Sequence, residues 1–152
     1  MPECQSQAYI TKEAFERLVA LCLDAKPIEA CGILAGPAAD SGDTATHTPE
    51  AVIDTVIPIT NTHINPTYSF SFDPSEWTTA FYDMQKNRQS LVGLFHSHPK
   101  TDAIPSSYDT EGFLPASELT YWIISLKDSQ NPVVQPYRRE RSKFVPLQLV
   151  LA

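Results

Sequence analysis

The segment Gly93-Leu-Phe-His96-Ser-His98-Pro99-Lys-Thr-Asp-Ala-Ile-Pro-Ser106-Ser-Tyr-Asp109 is the most informative part of the sequence. It begins in an apolar run, 91–98, that predicts a buried strand, and it continues into a loop rich in Pro, Ser and Asp. Side chains at positions i and i+2 of a strand point to the same face. We therefore expect His96 and His98 to project together and Ser97 to point the opposite way.

Two imidazoles side by side at the end of a strand are a natural pair of metal ligands. A catalytic Zn²⁺ site usually has three protein ligands, with His nitrogens at about 2.0–2.1 Å. Asp109 is the best candidate for the third ligand, because the loop before it is long enough to fold back. Ser106 would share one face with Asp109 if a short helix begins near Ser106.

The competing interpretation is that these are ordinary surface or core histidines, as most isolated His pairs are. The full pattern HxHPx₆SxxD would arise on the order of once in 10⁴ shuffled sequences of this composition. This rarity favours a metal site.

The rest of the chain predicts an α/β fold, a mixed sheet with helices on its faces. One helix is expected from about Thr11 to Ala25, and a second begins with Asp73 as N-cap, Pro74 at N1 and Glu76 at N3, an Asp-based form of the capping box. Residues 37–49 predict a surface loop. The predicted strands span residues 29–36, 51–59, 68–72, 91–98, 119–126, 133–137 and 144–151, the last two forming a hairpin that turns through 138–143.

Composition limits the possible functions. A chain of 152 residues fits a single domain, 1–152, and 42% hydrophobic with 19% charged residues is typical of a globular protein. The net charge of −7 argues against nucleic acid and anionic membranes as partners. We find no apolar run long enough to span a membrane and no signal-peptide pattern. The three cysteines form no CxxC pair, which favours a reducing cytoplasmic compartment.

Together with an upstream glutamate, HxHPx₆SxxD resembles the signature of the JAMM (MPN+, Mov34/PAD-1) zinc metallopeptidases. The glutamate is Glu29, in Glu-Ala-Cys-Gly-Ile-Leu-Ala-Gly36, which resembles the strand that follows the first helix in that family. Asn61 and the later Tyr-Ser-Phe-Ser-Phe-Asp-Pro resemble its middle segment. The resemblance extends over about residues 10–150, and the chain is similar to the compact prokaryotic members.

This resemblance implies a mixed sheet sandwiched by helices, with a cytidine-deaminase-like architecture. It also implies one zinc ion per chain, held by His96, His98 and Asp109, with Glu29 as general base and Ser106 as hydrogen-bond donor to the oxyanion. The implied function is zinc-dependent hydrolysis of a peptide or isopeptide bond at the C-terminal tail of a small ubiquitin-like, sulfur-carrier-like protein, by water activated with the help of the glutamate.

Several alternatives stay open. The chain could be a non-catalytic interaction domain, or a peptidase acting on cell-wall or phage-associated peptides. A deaminase would need HxE and PCxxC, and neither occurs.

Ser106 could cap a short helix instead of acting in catalysis. Cys31 could be a nucleophile, although packing is the commoner role of a buried cysteine. The basic cluster within 138–143 is either a solvated turn or a docking patch for an acidic partner. The sequence leaves the oligomeric state open.

Overall fold

The computed structural model describes residues 6–38, 51–106, 118–141 and 143–152. Within these ranges the chain forms two helices and nine strands. The helices are α1 (Lys12–Ala25) and α2 (Pro74–Lys86). The strands are β1 (Gln7–Ile10), β2 (Cys31–Pro37), β3 (Val52–Ile53), β4 (Thr55–Ile59), β5 (Gln89–His98), β6 (Thr120–Ser125), β7 (Val133–Glu140), β8 (Lys143–Pro146) and β9 (Gln148–Leu151). No helix among the described residues is long and apolar enough to cross a membrane.

The strands form two sheets. The larger sheet has the order β4-β2-β5-β6-β7-β8, and β5–β6 is the parallel pair among otherwise antiparallel neighbours. The smaller sheet has the order β3-β1-β9, with β1 parallel to both partners. Because β5 and β6 run in the same direction, the ends of both strands, His98 and Ser125, meet at one edge of the larger sheet.

Two hydrophobic cores cover the faces of the larger sheet, as expected for the predicted mixed sheet sandwiched by helices. On one face, α1 and the smaller sheet bury Leu18 and Cys22 against Phe95, Trp122 and Ile124. These side chains are fully or almost fully buried, so this core supplies much of the hydrophobic stabilisation of the fold.

The second core lies between α2 and the opposite face of the larger sheet. Ala80 and Met84 of α2 pack there with Ile33, Leu94 and Tyr121. Alternate residues of β5 share this face, so the histidines that follow Leu94 along the strand lie beyond the region covered by α2.

Side-chain caps begin both helices, as predicted. Thr11 accepts a hydrogen bond from the Ala14 amide at 3.2 Å. Asp73 accepts from the Ser75 and Glu76 amides at 2.9 and 3.1 Å. The predicted capping box forms only in part, because Glu76 accepts from the amide of Thr60, at 2.9 Å, rather than turning back to Asp73. The carboxylate at N3 therefore ties α2 to the end of β4.

Residues 51–59, predicted as one strand, form two strands in different sheets. β3 pairs with β1, whereas β4 pairs with β2. The break is at Asp54, whose amide donates to the Ala35 carbonyl at 3.0 Å. Apolar residues recur on both sides of this break, so the sequence reads as one strand, and Ile53 of β3 and Val56 of β4 are buried in the same core although their strands belong to different sheets.

The prediction of a strand at 68–72 is wrong. The structure describes this whole segment and shows only an isolated bridge between Asn61 and Phe72. The aromatic side chains pack with one another instead: the ring centroids of Phe70 and Phe72 are 5.3 Å apart, and those of Phe72 and Trp77 are 5.0 Å apart. The alternation of aromatic and serine residues therefore reflects an aromatic cluster on the face of the sheet, not a position within it.

The C-terminal hairpin forms with different bounds. β7 continues to Glu140, which pairs with Lys143, so the turn is tighter than the predicted 138–143. The second strand, predicted at 144–151, divides at the buried Leu147: β8 stays in the hairpin, and β9 pairs with β1 in the smaller sheet. The sequence did not predict β1, whose partners are both distant in sequence.

Some sequence predictions lie outside the described residues. They include most of the loop at 37–49, the short helix after Ser106, and Asp109 itself. A single domain over 1–152 stays a prediction.

Replacing Asp73 by Ala should lower the free energy of unfolding by about 1 kcal/mol, because the first turn of α2 loses the acceptor for two amides. Asn caps about as well as Asp, so Asp73→Asn is the matched control and should differ little from the natural protein. Urea denaturation of both variants measures the difference. Equal stability of the two variants would contradict a capping role.

Candidate functional site

The two predicted ligands come together at the end of β5. His96 and His98 are buried, with 1% and 4% of their surface exposed, and their Nε2 atoms are 3.1 Å apart. Ser97, between them in sequence, is fully buried. The expectation that His96 and His98 project together is therefore met.

Contacts around the rings fix their orientation. The Nδ1 atom of His98 lies 2.8 Å from the Asp102 carbonyl oxygen. A carbonyl oxygen can only accept, so Nδ1 carries the hydrogen, and in the neutral ring Nε2 presents a lone pair. The His96 ring stacks on Phe70, with centroids 4.5 Å apart and ring planes at 25°. Neither contact involves Nε2, so both rings are held in place while their Nε2 atoms face each other.

Strand pairing places Glu29 beside the histidines. Cys31 of β2 pairs with His96, and the pairing continues one residue further, where the Ser97 amide donates to the Ala30 carbonyl at 2.9 Å. The Ala30 amide in turn donates to Ser97 Oγ at 2.8 Å. By alternation along the chain, Glu29 lies on the same face as His96. Glu29 is 5% exposed, and its Oε1 atom is buried.

Close approach explains the glycine of the Glu-Ala-Cys-Gly run. A Cβ atom at Gly32 would overlap the Ile57 carbonyl of β4 and the Phe95 ring of β5. A side chain here would push β2 away from its neighbours and disturb the register that brings Glu29 to the histidines.

Asn61 fastens the backbone of Glu29 to the segment that follows β4. Its side chain bonds five backbone groups: Nδ2 donates toward the carbonyls of Glu29, Pro66 and Ser69, at 2.9–3.3 Å, and Oδ1 accepts from the amides of His63 and Ser71, at 3.0 and 3.1 Å. The Glu29 amide also donates to the Pro66 carbonyl at 2.8 Å. The family resemblance included Asn61, but the sequence alone gave no reason to assign it this role.

The donor set fits a zinc ion. Two nitrogens bound to one tetrahedral zinc lie about 3.3 Å apart, given Zn–N distances of about 2.0–2.1 Å. The observed separation of 3.1 Å between the His96 and His98 Nε2 atoms is close to this value. Among the described residues no group of three His, Cys, Asp or Glu side chains could hold a metal. The predicted third ligand, Asp109, lies outside them, and the half-buried Ser106 is at their boundary.

The environment of Cys31 argues against a nucleophile. Its thiol donates to the Ile59 carbonyl, with Sγ and O 3.3 Å apart, and 2% of the residue is exposed. Burial, followed by the nearby Glu29 and Glu76 carboxylates, raises the pKa of the thiol to about 12. The reactive thiolate is therefore scarce at neutral pH. Cys31 packs β2 against β4.

Neither His63 nor the basic cluster has a contact that indicates a role as a metal ligand or in catalysis. His63 Nδ1 accepts from the Asn65 amide at 2.9 Å, and His47 is outside the described residues. In β7, Arg138 forms an ion pair with Glu140 and the Arg139 guanidinium lies 5.2 Å from the centre of the Phe144 ring. These contacts favour the interpretation of a solvated hairpin.

Comparison of the chain with known proteins identifies its family. Residues 11–140 match the model of the family described as prokaryotic homologs of the JAB domain. The chain is 32% identical to a desampylase from Haloferax volcanii over 85 residues, 56% of this chain and 54% of the desampylase. It is 31% identical to a CysO-cysteine peptidase from Mycobacterium tuberculosis over 112 residues, 74% of this chain and 68% of that protein. The match therefore spans about half the length of the desampylase.

Solved structures have the same fold. A protein from Desulfitobacterium hafniense superimposes with a TM-score of 0.80 at 35% identity, with 95% of this chain and 92% of that chain covered. A JAB1/MPN domain protein from Archaeoglobus fulgidus superimposes with a TM-score of 0.56 at 18% identity, with 95% and 99% covered. These likenesses confirm the fold class that the sequence predicts. On the match over residues 11–140, the chain belongs to the family of prokaryotic homologs of the JAB domain.

Proposed function

We propose that the protein is a zinc-dependent peptidase or isopeptidase that hydrolyses a bond at the C-terminal tail of a small ubiquitin-like or sulfur-carrier-like protein. The observation that carries the proposal is the buried pair of Nε2 atoms on His96 and His98, 3.1 Å apart, with the buried Glu29 on the same face. Relatives named desampylase and CysO-cysteine peptidase support a hydrolase of this substrate class.

The proposed metal ligands are His96, His98 and Asp109. Zinc, when bound, would supply a Lewis acid that lowers the pKa of water to about 7. In the chain itself, His98 donates a hydrogen bond from Nδ1 to the Asp102 carbonyl, which leaves the lone pair of Nε2 available for the metal. Metal ions bind the neutral imidazole ring, through a nitrogen that carries no hydrogen.

Glu29 is the proposed general base. It would accept a proton from the attacking water and pass it to the leaving amine. Hydrogen bonds to Asn61 and Pro66 hold its backbone beside the histidine pair. Ser106 would donate a hydrogen bond to the substrate carbonyl oxygen as negative charge develops there.

A protein substrate suits the surface beside the site. The segment that holds Glu29 exposes Ile64 and Tyr68, at 89% and 75%, and the loop after His98 exposes Ile104 at 63%. Large apolar side chains this exposed favour contact with a partner surface over contact with solvent. A thin extended tail could then reach the recessed imidazoles. A cytoplasmic location belongs to the same proposal, and the free, buried thiols of Cys22 and Cys31 are consistent with a reducing compartment.

Purified protein should contain about one equivalent of zinc, and His96→Ala should lose most of it, because one of the three proposed ligands is removed. Metal analysis after dialysis against zinc-free buffer measures the content. His63→Ala is the matched control, since that ring lies in a half-buried turn and accepts from the Asn65 amide. Full zinc retention in both His96→Ala and His98→Ala would sink the assignment.

Glu29→Gln should keep the fold and the zinc but lose most turnover, because a near-isosteric amide cannot take a proton from water. The substrates are sulfur-carrier proteins with a short extension after a C-terminal Gly-Gly, and mass spectrometry of their tails measures cleavage. Glu13→Gln, at the exposed start of α1, is the control. Near-normal activity of zinc-loaded Glu29→Gln would show that another residue is the base.

Ser106→Ala should lower kcat by about 10²–10³ with little change in KM, as expected when one oxyanion donor is lost. Zinc content and melting temperature should stay near those of the natural protein. If Ser106 instead caps a helix, stability should fall by about 1 kcal/mol and activity should fall in proportion to zinc. Ser107→Ala provides the neighbouring control in the same three assays.

A further inference from the structure

Three consecutive carbonyl groups in the loop after β5 each accept a hydrogen bond from a side chain of a different strand. Thr101 accepts from Ser125 Oγ at 2.6 Å, Asp102 from His98 Nδ1 at 2.8 Å, and Ala103 from the Tyr137 hydroxyl. We call the carbonyls of residues 101–103 the carbonyl row. Their donors belong to β6, β5 and β7, which are neighbours in the larger sheet.

The three donors lie on the same face of the sheet. Ser125 pairs with His98 across β5 and β6, and paired residues share a face. Tyr137 pairs with Tyr121 across β6 and β7, and Tyr121 lies an even number of residues from Ser125 on β6. The loop is therefore bonded to three neighbouring strands on one face of the sheet, at the ends of β5 and β6 and at the middle of β7.

The surroundings of Ser125 and Tyr137 leave the hydroxyl hydrogen of each free to be donated to the carbonyl row. Ser125 Oγ accepts from the Lys127 amide at 3.3 Å, so its hydrogen is available for the Thr101 carbonyl. Burial raises the pKa of the Tyr137 phenol, which keeps the proton that it donates to Ala103. The Tyr137 ring also packs with Ala103 and Ile123 in a small core.

The middle carbonyl is the one that matters for the histidine pair. The backbone carbonyl of Asp102 determines which nitrogen of His98 carries the hydrogen. The direction in which this carbonyl points depends on the peptide planes before and after it. The bonds to Thr101 and Ala103 hold those two planes, and the Ile104 amide also donates to the Asp102 carbonyl at 2.8 Å. The Asp102 carboxylate contributes little to this anchoring, since its ion pair with Lys127, at 3.5 Å, is largely exposed to solvent.

We infer that Tyr137 and Ser125 are positioning residues, which hold the carbonyl row so that Asp102 keeps His98 with its hydrogen on Nδ1 and its Nε2 lone pair toward His96. The inference rests on the proposed function in one respect: His98 is taken to be a metal ligand. Ligating histidines almost always give their other N–H to a fixed acceptor, and loss of that acceptor typically weakens metal binding about 10- to 100-fold.

The competing explanation is that Tyr137 and Ser125 only stabilise the fold. Tyr137→Phe separates the two, because it keeps the ring in its core and removes one hydroxyl. Ser125→Ala makes the matching change at the other end of the row. Lys127→Ala is the control, since it removes a contact to the same loop without touching the row.

The experiment uses the full chain in three assays. Competition with a chromogenic chelator gives the dissociation constant for zinc. Thermal melting of metal-free protein gives stability. Correlation spectra of ¹⁵N-labelled imidazole rings, at about pH 8 where histidine is ordinarily neutral, identify the tautomer of metal-free His98.

We expect the Nδ1–H form of His98 in the natural protein and in Lys127→Ala. In Tyr137→Phe and Ser125→Ala we expect a mixture of tautomers and a zinc dissociation constant about 10-fold higher, rising toward 100-fold in the double variant. Unchanged tautomer in both single variants would overturn the inference, even if melting temperature and zinc affinity fell together. An equal effect of Lys127→Ala would also overturn it.

The outcome for the proposed function is separate. If the natural protein binds no zinc, that function fails, and the tautomer spectra alone decide whether Tyr137 and Ser125 position His98. If the protein binds zinc and the His98 tautomer is the same in Tyr137→Phe and Ser125→Ala as in the natural protein, the proposed function stands and the positioning inference fails.

Discussion

The pairing of β2 with β5 is the constraint on which the site depends. It sets Cys31 opposite His96 and continues through Ala30 and Ser97, so that Glu29 reaches the histidine pair. A shift of one residue would turn Glu29 to the opposite face of the sheet. The close packing at Gly32, which has no room for a Cβ atom, allows β2 to lie in this register between β4 and β5.

The site buries polar groups that would weaken an ordinary core. Glu29, His96 and His98 are each at most 5% exposed, and burial of a polar group without partners costs roughly 1–3 kcal/mol. For His98 the surrounding chain offsets this cost with the Asp102 carbonyl, which accepts from Nδ1, and the Asn61 side chain satisfies the backbone carbonyl of Glu29. Much of the irregular structure near the site is thus explained by the needs of these few side chains.

The sequence was a good guide where structure depends on neighbouring residues. The caps at Thr11 and Asp73 follow from local hydrogen bonding, and the common face of His96 and His98 follows from strand alternation. It failed at residues 68–72 and at β9, because the pattern of apolar residues does not reveal which distant segment a strand pairs with. The alternation of aromatic residues at 68–72 has the period of a strand, but Phe70 stacks on His96 instead. Nothing in the sequence assigned Tyr137 a role either, since a tyrosine within a strand is most simply a residue of the core.

Ser97 shows how the two halves of the site are coupled. Its neighbours in sequence are the proposed metal ligands, and its own side chain points away from them. Yet its amide and hydroxyl both bind Ala30, the residue after Glu29. A movement of the strand end that displaced His98 would therefore pull on the backbone of the proposed base. The sequence His-Ser-His thus does two things: its outer residues form the imidazole pair, and its middle residue joins that pair to the backbone next to Glu29.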